Sequence, residues 1–342
     1  MRAIVFDGPG ELRVAEVPDP EPGPRDVVVR VEAVGICGTD VHVFDGEFEP
    51  TVFPLTPGHE MSGVVDSVGS DVTGFAAGDR VSVDPTLTCG ECAYCGVGRG
   101  NLCENWNGMG VARTDGGSAE LVRAPVANVH HLADHVDLAE AAMIEPLSCA
   151  IHGFDLLPRR LGEHYLVYGA GTMGLMMGQL APLQGAASVT VVDPNESRLQ
   201  VAREVGLDDV VTHADQARRP GGWDVVIDCT GVPAAIEDGL RRVRRGGTYQ
   251  QFGVASVDAR ASFSPFRVYN DEVTIVGSMA VLASYARAVE MFSAGAIRAT
   301  PMISHAFCLD DYAEALELFR KGTGRKLQIR PNASASVALL AP

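Results

Sequence analysis

Apolar and polar positions follow two different rhythms along the chain. From Met1 to about residue 150, short alternating or β-branched runs are cut by glycine and proline. Examples are Met1-Arg2-Ala3-Ile4-Val5-Phe6, Asp26-Val27-Val28-Val29-Arg30-Val31-Glu32-Ala33-Val34 and Gly63-Val64-Val65-Asp66-Ser67-Val68-Gly69. Such runs predict strands, and their punctuation predicts turns, so this part is expected to be dominated by β-structure. From about residue 151 the texture changes. Apolar strands are predicted at Tyr165–Tyr168, Ser188–Val192, Val225–Cys229, Thr248–Phe252 and Val273–Val276, alternating with helical segments. Strands buried on both faces and separated by helices predict a parallel, doubly wound sheet of the α/β class. Helix-like segments follow at Leu282–Ser293 and Leu309–Lys321, and the strand-like Lys326–Ile329 predicts a return to the first domain. The final dozen residues, rich in alanine and serine, are expected to fray.

A chain of 342 residues is long enough for two domains with separate cores. No window approaches the roughly 18 consecutive apolar residues of a membrane span, and the opening reads as a first strand, not a secretory signal. A cytoplasmic location is therefore expected. The net charge of −17 disfavours nucleic acid and anionic membrane as partners. The chain has only two lysines, Lys321 and Lys326, and neither follows a P-loop. No tyrosine has a lysine four residues later, so a metal-free Tyr/Lys dehydrogenase is disfavoured and hydride chemistry would need another electrophile.

The eight cysteines are unevenly placed: Cys89, Cys92, Cys95 and Cys103 crowd one lobe, while Cys37, Cys149, Cys229 and Cys308 are scattered. Four thiolates at two-residue gaps suit closed tetrahedral coordination of a structural zinc. A disulfide or an iron–sulfur cluster stays open on ligand type alone, although a reducing compartment and the lack of an electron-transfer partner favour zinc.

Gly169-Ala170-Gly171-Thr172-Met173-Gly174 directly follows one predicted strand and opens a helix running to about Gln184. This is a dinucleotide fingerprint. Gly169 permits the tight turn, Gly171 admits the pyrophosphate, and Gly174 lets the helix pack close to the sheet. Asp193, nineteen residues past Gly174, ends the next predicted strand and can accept the adenosine ribose hydroxyls while repelling a 2′-phosphate. NAD is thus expected over NADP, with Arg198 close enough in sequence to complicate that choice. Cys37 in Gly35-Ile36-Cys37-Gly38-Thr39-Asp40-Val41-His42, the pair His59-Glu60, and Glu145 before Pro146 are further candidates. Spacing alone does not unite them in one site.

Taken in order, Cys37 to His42, Gly58-His59-Glu60, the cysteine lobe and the fingerprint resemble the zinc-containing medium-chain dehydrogenases, over nearly the whole chain. The resemblance is to the polyol (sorbitol-like) and threonine dehydrogenase branch. It implies a GroES-like catalytic domain of residues 1–151 and 281–342 around a Rossmann domain of 152–280, with substrate and nicotinamide meeting in the cleft between them. It implies that Cys37, His59 and Glu60 hold a catalytic zinc with one open position, with Glu145 close enough to bind or exchange with water. Asp40 would orient His59, Thr39 would accept the substrate hydroxyl proton, and His42 would pass it to solvent. Such a zinc lowers an alcohol's pKa towards neutrality, which agrees with the chemistry required. Glu145-Pro146-Leu147 looks like the polyol branch, whereas the Arg-Tyr pair of animal sorbitol dehydrogenases is absent around Gly277-Ser278-Met279. The leading expectation is a sugar alcohol as substrate, with a threonine-type amino-alcohol dehydrogenase second and a zinc-free quinone reductase third. A dinucleotide-binding sensor or structural protein is the non-enzyme alternative. The family resemblance also implies a homo-oligomer, dimeric or tetrameric.

Overall fold

The computed structural model describes residues 1–339. By internal contacts the chain divides into two compact units. The first comprises Met1–Glu145, Val281–Gly295 and the chain from Ile303 onward; the second comprises Pro146–Ala280 and Ala296–Met302. The chain opens with the hairpin β1 (Arg2–Gly8) and β2 (Glu11–Glu16), then β3 (Asp26–Gly35), α1 (Gly38–Phe44), β4 (Glu60–Val68) and β5 (Arg80–Val83). The short strands β6 (Thr86–Leu87) and β7 (Asn107–Gly108) flank α2 (Ala93–Gly96), and β8 (Leu121–Pro125), β9 (Val129–His131) and α3 (Leu138–Ala141) follow.

Helix α4 (Ile144–Asp155) leads into the second unit, built from β10 (His164–Tyr168), α5 (Thr172–Leu183), β11 (Ser188–Val192), α6 (Glu196–Glu204) and β12 (Val210–Val211). It continues through β13 (Trp223–Asp228), α7 (Pro233–Arg242), β14 (Val243–Gln251), α8 (Pro265–Asn270) and β15 (Thr274–Gly277). The chain then supplies α9 (Tyr285–Ser293), β16 (Ile303–Phe307), α10 (Tyr312–Arg320), β17 (Lys326–Ile329) and β18 (Val337–Ala338).

The second unit is a six-stranded sheet ordered β12-β11-β10-β13-β14-β15, with every pairing parallel. Chain order reverses direction between β10 and β13, and Gly169 follows β10 at that switch point, where doubly wound sheets bind nucleotides. In the first unit an eight-stranded sheet runs β18-β16-β17-β3-β4-β5-β9, with β8 also paired to β3. Its core includes Ile4, Phe6, Val27, Val29, Val31, Met61, Val81, Leu327 and Ile329, all almost wholly buried. The inward residues of β3 alternate over much of the strand, as a sheet face packed on a core requires.

Three sequence expectations need correction. The first unit ends at 145, not 151, because α4 packs into the second unit: Gln250 on β14 donates to the Gly153 carbonyl (2.8 Å), and Phe154 meets Tyr165. Residues 296–302 also join that unit, since the Arg298 amide bonds Gln179 of α5 (2.8 Å). The helix expected from Leu282 starts at Tyr285, because Ala280 and Ala283 take positive φ values of 48° and 50° that no helix continues through. The expected fraying of the last dozen residues fails at Val337 and Ala338, which pair with Ala306 and His305 of β16. Strand addition at a sheet edge uses backbone groups, so the small side chains do not prevent it. The remainder of that expectation, at 340–342, lies outside the described residues.

Candidate metal centres and dinucleotide site

Strand register builds the first centre. Glu60 opens β4 opposite Gly35, which ends β3, and Gly35 also faces Gln328 of β17. Two residues beyond Gly35, Cys37 caps the N-terminus of α1. Ligand atoms of Cys37, His59 and Glu60 all lie within 4.8 Å of one another, and His59 and Glu60 are buried. Asp40 holds the corner: its carboxylate accepts from the Cys37 amide (2.8 Å), and its other oxygen stands 3.4 Å from His59 Nδ1. Asp40 Oδ1 and His59 Nδ1 are buried without a fully formed hydrogen bond.

Electrostatics there favour a cation. Burial alone would lower the His59 pKa, yet Asp40 and then Cys37 outweigh it and raise it well above its ordinary value. A sulfur, an imidazole and a carboxylate converging in a buried, negatively polarised pocket fit a zinc with a fourth position left open. Thr39 Oγ1 stands 3.6 Å from Cys37 Sγ. His42, one helical turn beyond Thr39, is half-exposed, and its Nδ1 pairs with Glu47 at 2.7 Å. Glu145 is buried in the first turn of α4 but does not belong to the three-ligand cluster.

The roles of two residues at this centre escaped the sequence reading. Lys326 of β17 forms an ion pair with Glu60 Oε2, both side chains almost fully buried. Burial lowers the Lys326 pKa, but the Glu60 charge, then Cys37, raise it overall. A carboxylate has two oxygens, so Lys326 can hold one while the other serves a cation. Gly35 makes the room: a Cβ there would fall 2.0 Å from Glu60 Oε2 and 2.6 Å from Lys326 Cε. In zinc-free protein, Lys326→Met should therefore leave Glu60 buried and unbalanced, destabilising the fold by about 3–5 kcal/mol. A urea unfolding midpoint indistinguishable from that of the unmodified protein would refute this.

The second centre gathers Cys89, Cys92, Cys95 and Cys103, whose sulfurs lie within 4.8 Å of one another. Cys103 Sγ is 3.4 Å from Cys89 Sγ and 3.9 Å from Cys92 Sγ. These separations bracket the roughly 3.8 Å edge of a tetrahedron with 2.3 Å zinc–sulfur bonds. Backbone amides of Glu91 and Cys92 lower the Cys89 pKa to about 6, whereas burial and the Cys92 thiol push Cys95 up to about 12. Four crowded thiols cannot all ionise by themselves, so the donor set calls for a divalent cation. No disulfide links them.

At the fingerprint, Gly169 has φ of +95°, which only glycine adopts at little cost, and Gly171 faces open space. Gly174 is fixed by the loop itself, since a Cβ there would lie 1.7 Å from the Gly169 carbonyl oxygen; the sheet is farther, with Val167 at 3.6 Å. Thr172 and Met173 begin α5. Asp193 is buried, accepting from the Ala170 amide (2.8 Å) and the Asn195 amide (2.8 Å), so its carboxylate also ties down the loop. Arg198 reaches to 3.7 Å from it.

Family models for the alcohol dehydrogenase GroES-like domain and for zinc-binding dehydrogenases match residues 23–134 and 172–294. D-arabinitol dehydrogenase 1 of Uromyces fabae is 34% identical, over 97% of both chains. D-altritol 5-dehydrogenase of Agrobacterium fabrum is 36% identical, over 94% of this chain and 96% of its own. A zinc-binding dehydrogenase of Sinorhizobium meliloti, solved with NADP, superimposes with a TM-score of 0.90 at 35% identity, covering 96% of this chain and 99% of its own. The chain belongs to the zinc-containing medium-chain dehydrogenases. It is an oxidoreductase that uses zinc and a nicotinamide cofactor.

Proposed function

We propose that the protein oxidises a secondary hydroxyl of an acyclic polyol with NAD as acceptor. The observation that carries this reading is the cluster of half-buried Cys37 with buried His59 and Glu60 beside Thr39, in a chain whose relatives are named for D-arabinitol and D-altritol. Zinc bound there would polarise the alcohol oxygen, and the nicotinamide would take the hydride. Cys37, His59 and Glu60 hold the metal, and Asp40 orients His59 while fixing the Cys37 backbone. Thr39 accepts the proton of the substrate hydroxyl and hands its own to His42, whose contact with Glu47 leads to water. Glu60 and Glu145 offer carboxylate acceptors to vicinal hydroxyls. Cys89, Cys92, Cys95 and Cys103 hold a structural zinc.

Gly169, Gly171 and Gly174 admit the cofactor pyrophosphate at the start of α5. The buried Asp193 carboxylate repels a 2′-phosphate, which favours NAD, while Arg198 and the NADP in the S. meliloti structure define the opposing outcome. One panel tests substrate and cofactor together: four- to six-carbon polyols, threonine and simple alkanols, each with NAD and NADP. Polyols with NAD should give the highest kcat/KM. A far higher value for threonine or an alkanol would replace the polyol, and equal use of NADP would mean that Arg198 governs the ribose pocket.

The reading includes a homo-oligomer. Strand β15 is the outer strand of its sheet and exposes Ile275, with Met279 and Tyr269 also exposed nearby in sequence. An open apolar edge invites pairing with a second copy. Light scattering should report a dimer or tetramer, and Ile275→Asp should shift it towards monomer; a monomeric unmodified protein would end this part of the reading. We place the enzyme in the cytoplasm, where thiolate ligands stay reduced; among the described residues no helix is long and apolar enough to cross a membrane. Its acidity disfavours nucleic acid as a partner.

A further inference from the structure

The chain carries a net charge of −17, yet one groove in its second unit is lined by six arginines, Arg218, Arg219, Arg241, Arg242, Arg245 and Arg267, against only two aspartates. The groove encloses about 800 Å³ and includes Trp223, the first residue of β13. Strands β13 and β10 are parallel, with Tyr168 opposite Asp228, so the fingerprint after Tyr168 lies at the other end of the sheet. The five residue steps between Trp223 and Asp228 separate the two ends by roughly 17 Å. The groove is therefore distinct from the dinucleotide site.

Its arginines divide into two sets. Arg267 is tied down, donating to the Leu240 and Val243 carbonyls at the end of α7 and pairing with Asp271. Arg242 is held between Asp238 and Asp215. These two brace the wall. Arg241 pairs with Asp238 at 3.5 Å, and Arg245 pairs with Asp271 at 3.2 Å and donates to the Asn270 carbonyl at 3.3 Å, with most of both side chains in solvent. Arg218 and Arg219 have no ion pair and no side-chain hydrogen bond among the described residues. Their loop is pressed against the end of α7 by Gly222, where a Cβ would fall 2.6 Å from the Arg242 carbonyl oxygen, and φ there is +93°. Three chain segments thus line one concavity with arginines; four of them are already paired with Asp215, Asp238 or Asp271, while Arg218 and Arg219 carry charge that no carboxylate among the described residues offsets. The volume is that of a small-molecule pocket, and guanidinium forks match phosphate oxygens.

We propose that this groove is a second ligand site, for a small molecule carrying two or more phosphate groups. Titration calorimetry at low ionic strength tests it on zinc-loaded enzyme saturated with NADH, which keeps the dinucleotide site filled. Inorganic pyrophosphate and fructose 1,6-bisphosphate serve as probes. At least one should bind saturably, one per chain, and Arg218→Gln/Arg219→Gln should weaken it about tenfold or more while leaving kcat/KM for the polyol unchanged. A control that removes the same charge elsewhere, Arg25→Gln/Arg30→Gln, should leave the affinity intact. Absence of saturable binding by both probes overturns the proposal. So does equal weakening by both double variants, which indicates bulk charge alone, or full binding by Arg218→Gln/Arg219→Gln, which places the probe elsewhere. Binding of a polyglutamate peptide with neither phosphate probe bound would replace the small ligand with an acidic protein partner.

Discussion

A folded, zinc-loaded Thr39→Val enzyme should oxidise its polyol about 10²–10⁴-fold more slowly than the unmodified protein, the range set by loss of a general acid–base group. Each turnover must export one proton, and a metal that polarises the alcohol cannot carry that proton to water. Thr39 Oγ1 stands 3.6 Å from Cys37 Sγ, and His42 follows one helical turn later, the placement on which the proposed relay rests. Valine preserves the shape and removes the oxygen. Thr39→Ser should therefore retain activity, and His42→Gln should cost less than Thr39→Val because water can replace an outer carrier. Near-normal kcat in Thr39→Val, with zinc content verified, would reroute the proton through Glu60 or Glu145.

Purified protein should contain two zincs per chain, and the two should part company on chelation. The Cys37, His59 and Glu60 centre offers three ligands, whereas the four-cysteine centre is closed. A mild chelator should abolish activity while the circular dichroism melt stays in place. His59→Ala should lose one zinc and at least about a thousandfold in kcat/KM, since several kcal/mol of transition-state stabilisation depend on that metal. Cys92→Ser should instead lose the other zinc and lower the melting temperature, with a smaller effect on turnover. Full activity in a zinc-free preparation would remove the metal from the mechanism.

The parallel sheet was legible because β10, β11 and β13 are largely apolar and buried, and Gly169 stands at the turn after β10. Ser188–Val192 and Lys326–Ile329 have the predicted bounds. The four-cysteine lobe was legible because its ligands are local. Sequence concealed what register decides: Lys326 meets Glu60 only because β17 and β4 both pair with β3, and no spacing along the chain encodes that neighbour. Nothing in the Gly35–His42 segment marks Gly35 as the residue whose missing Cβ makes room for Glu60 and Lys326. Asp193 was readable as an acidic residue at a strand end, but its duty to the Ala170 amide was not, because it depends on how the turn folds back. The Glu47 partner of His42 could have been found, since it lies just beyond the end of the same short helix.

The place of β17 beside β3 has a consequence for biosynthesis. Glu60 leaves the ribosome long before Lys326, its counter-charge, and at about 5–20 residues per second the interval lasts on the order of tens of seconds. The whole nucleotide-binding unit is translated within that interval, and its six strands need nothing from the chain's last strands. Until Lys326 emerges, Glu60 has no partner from β17, so a chain stopped before that strand would lack both the ion pair and the strand that pairs with the Gly35 end of β3.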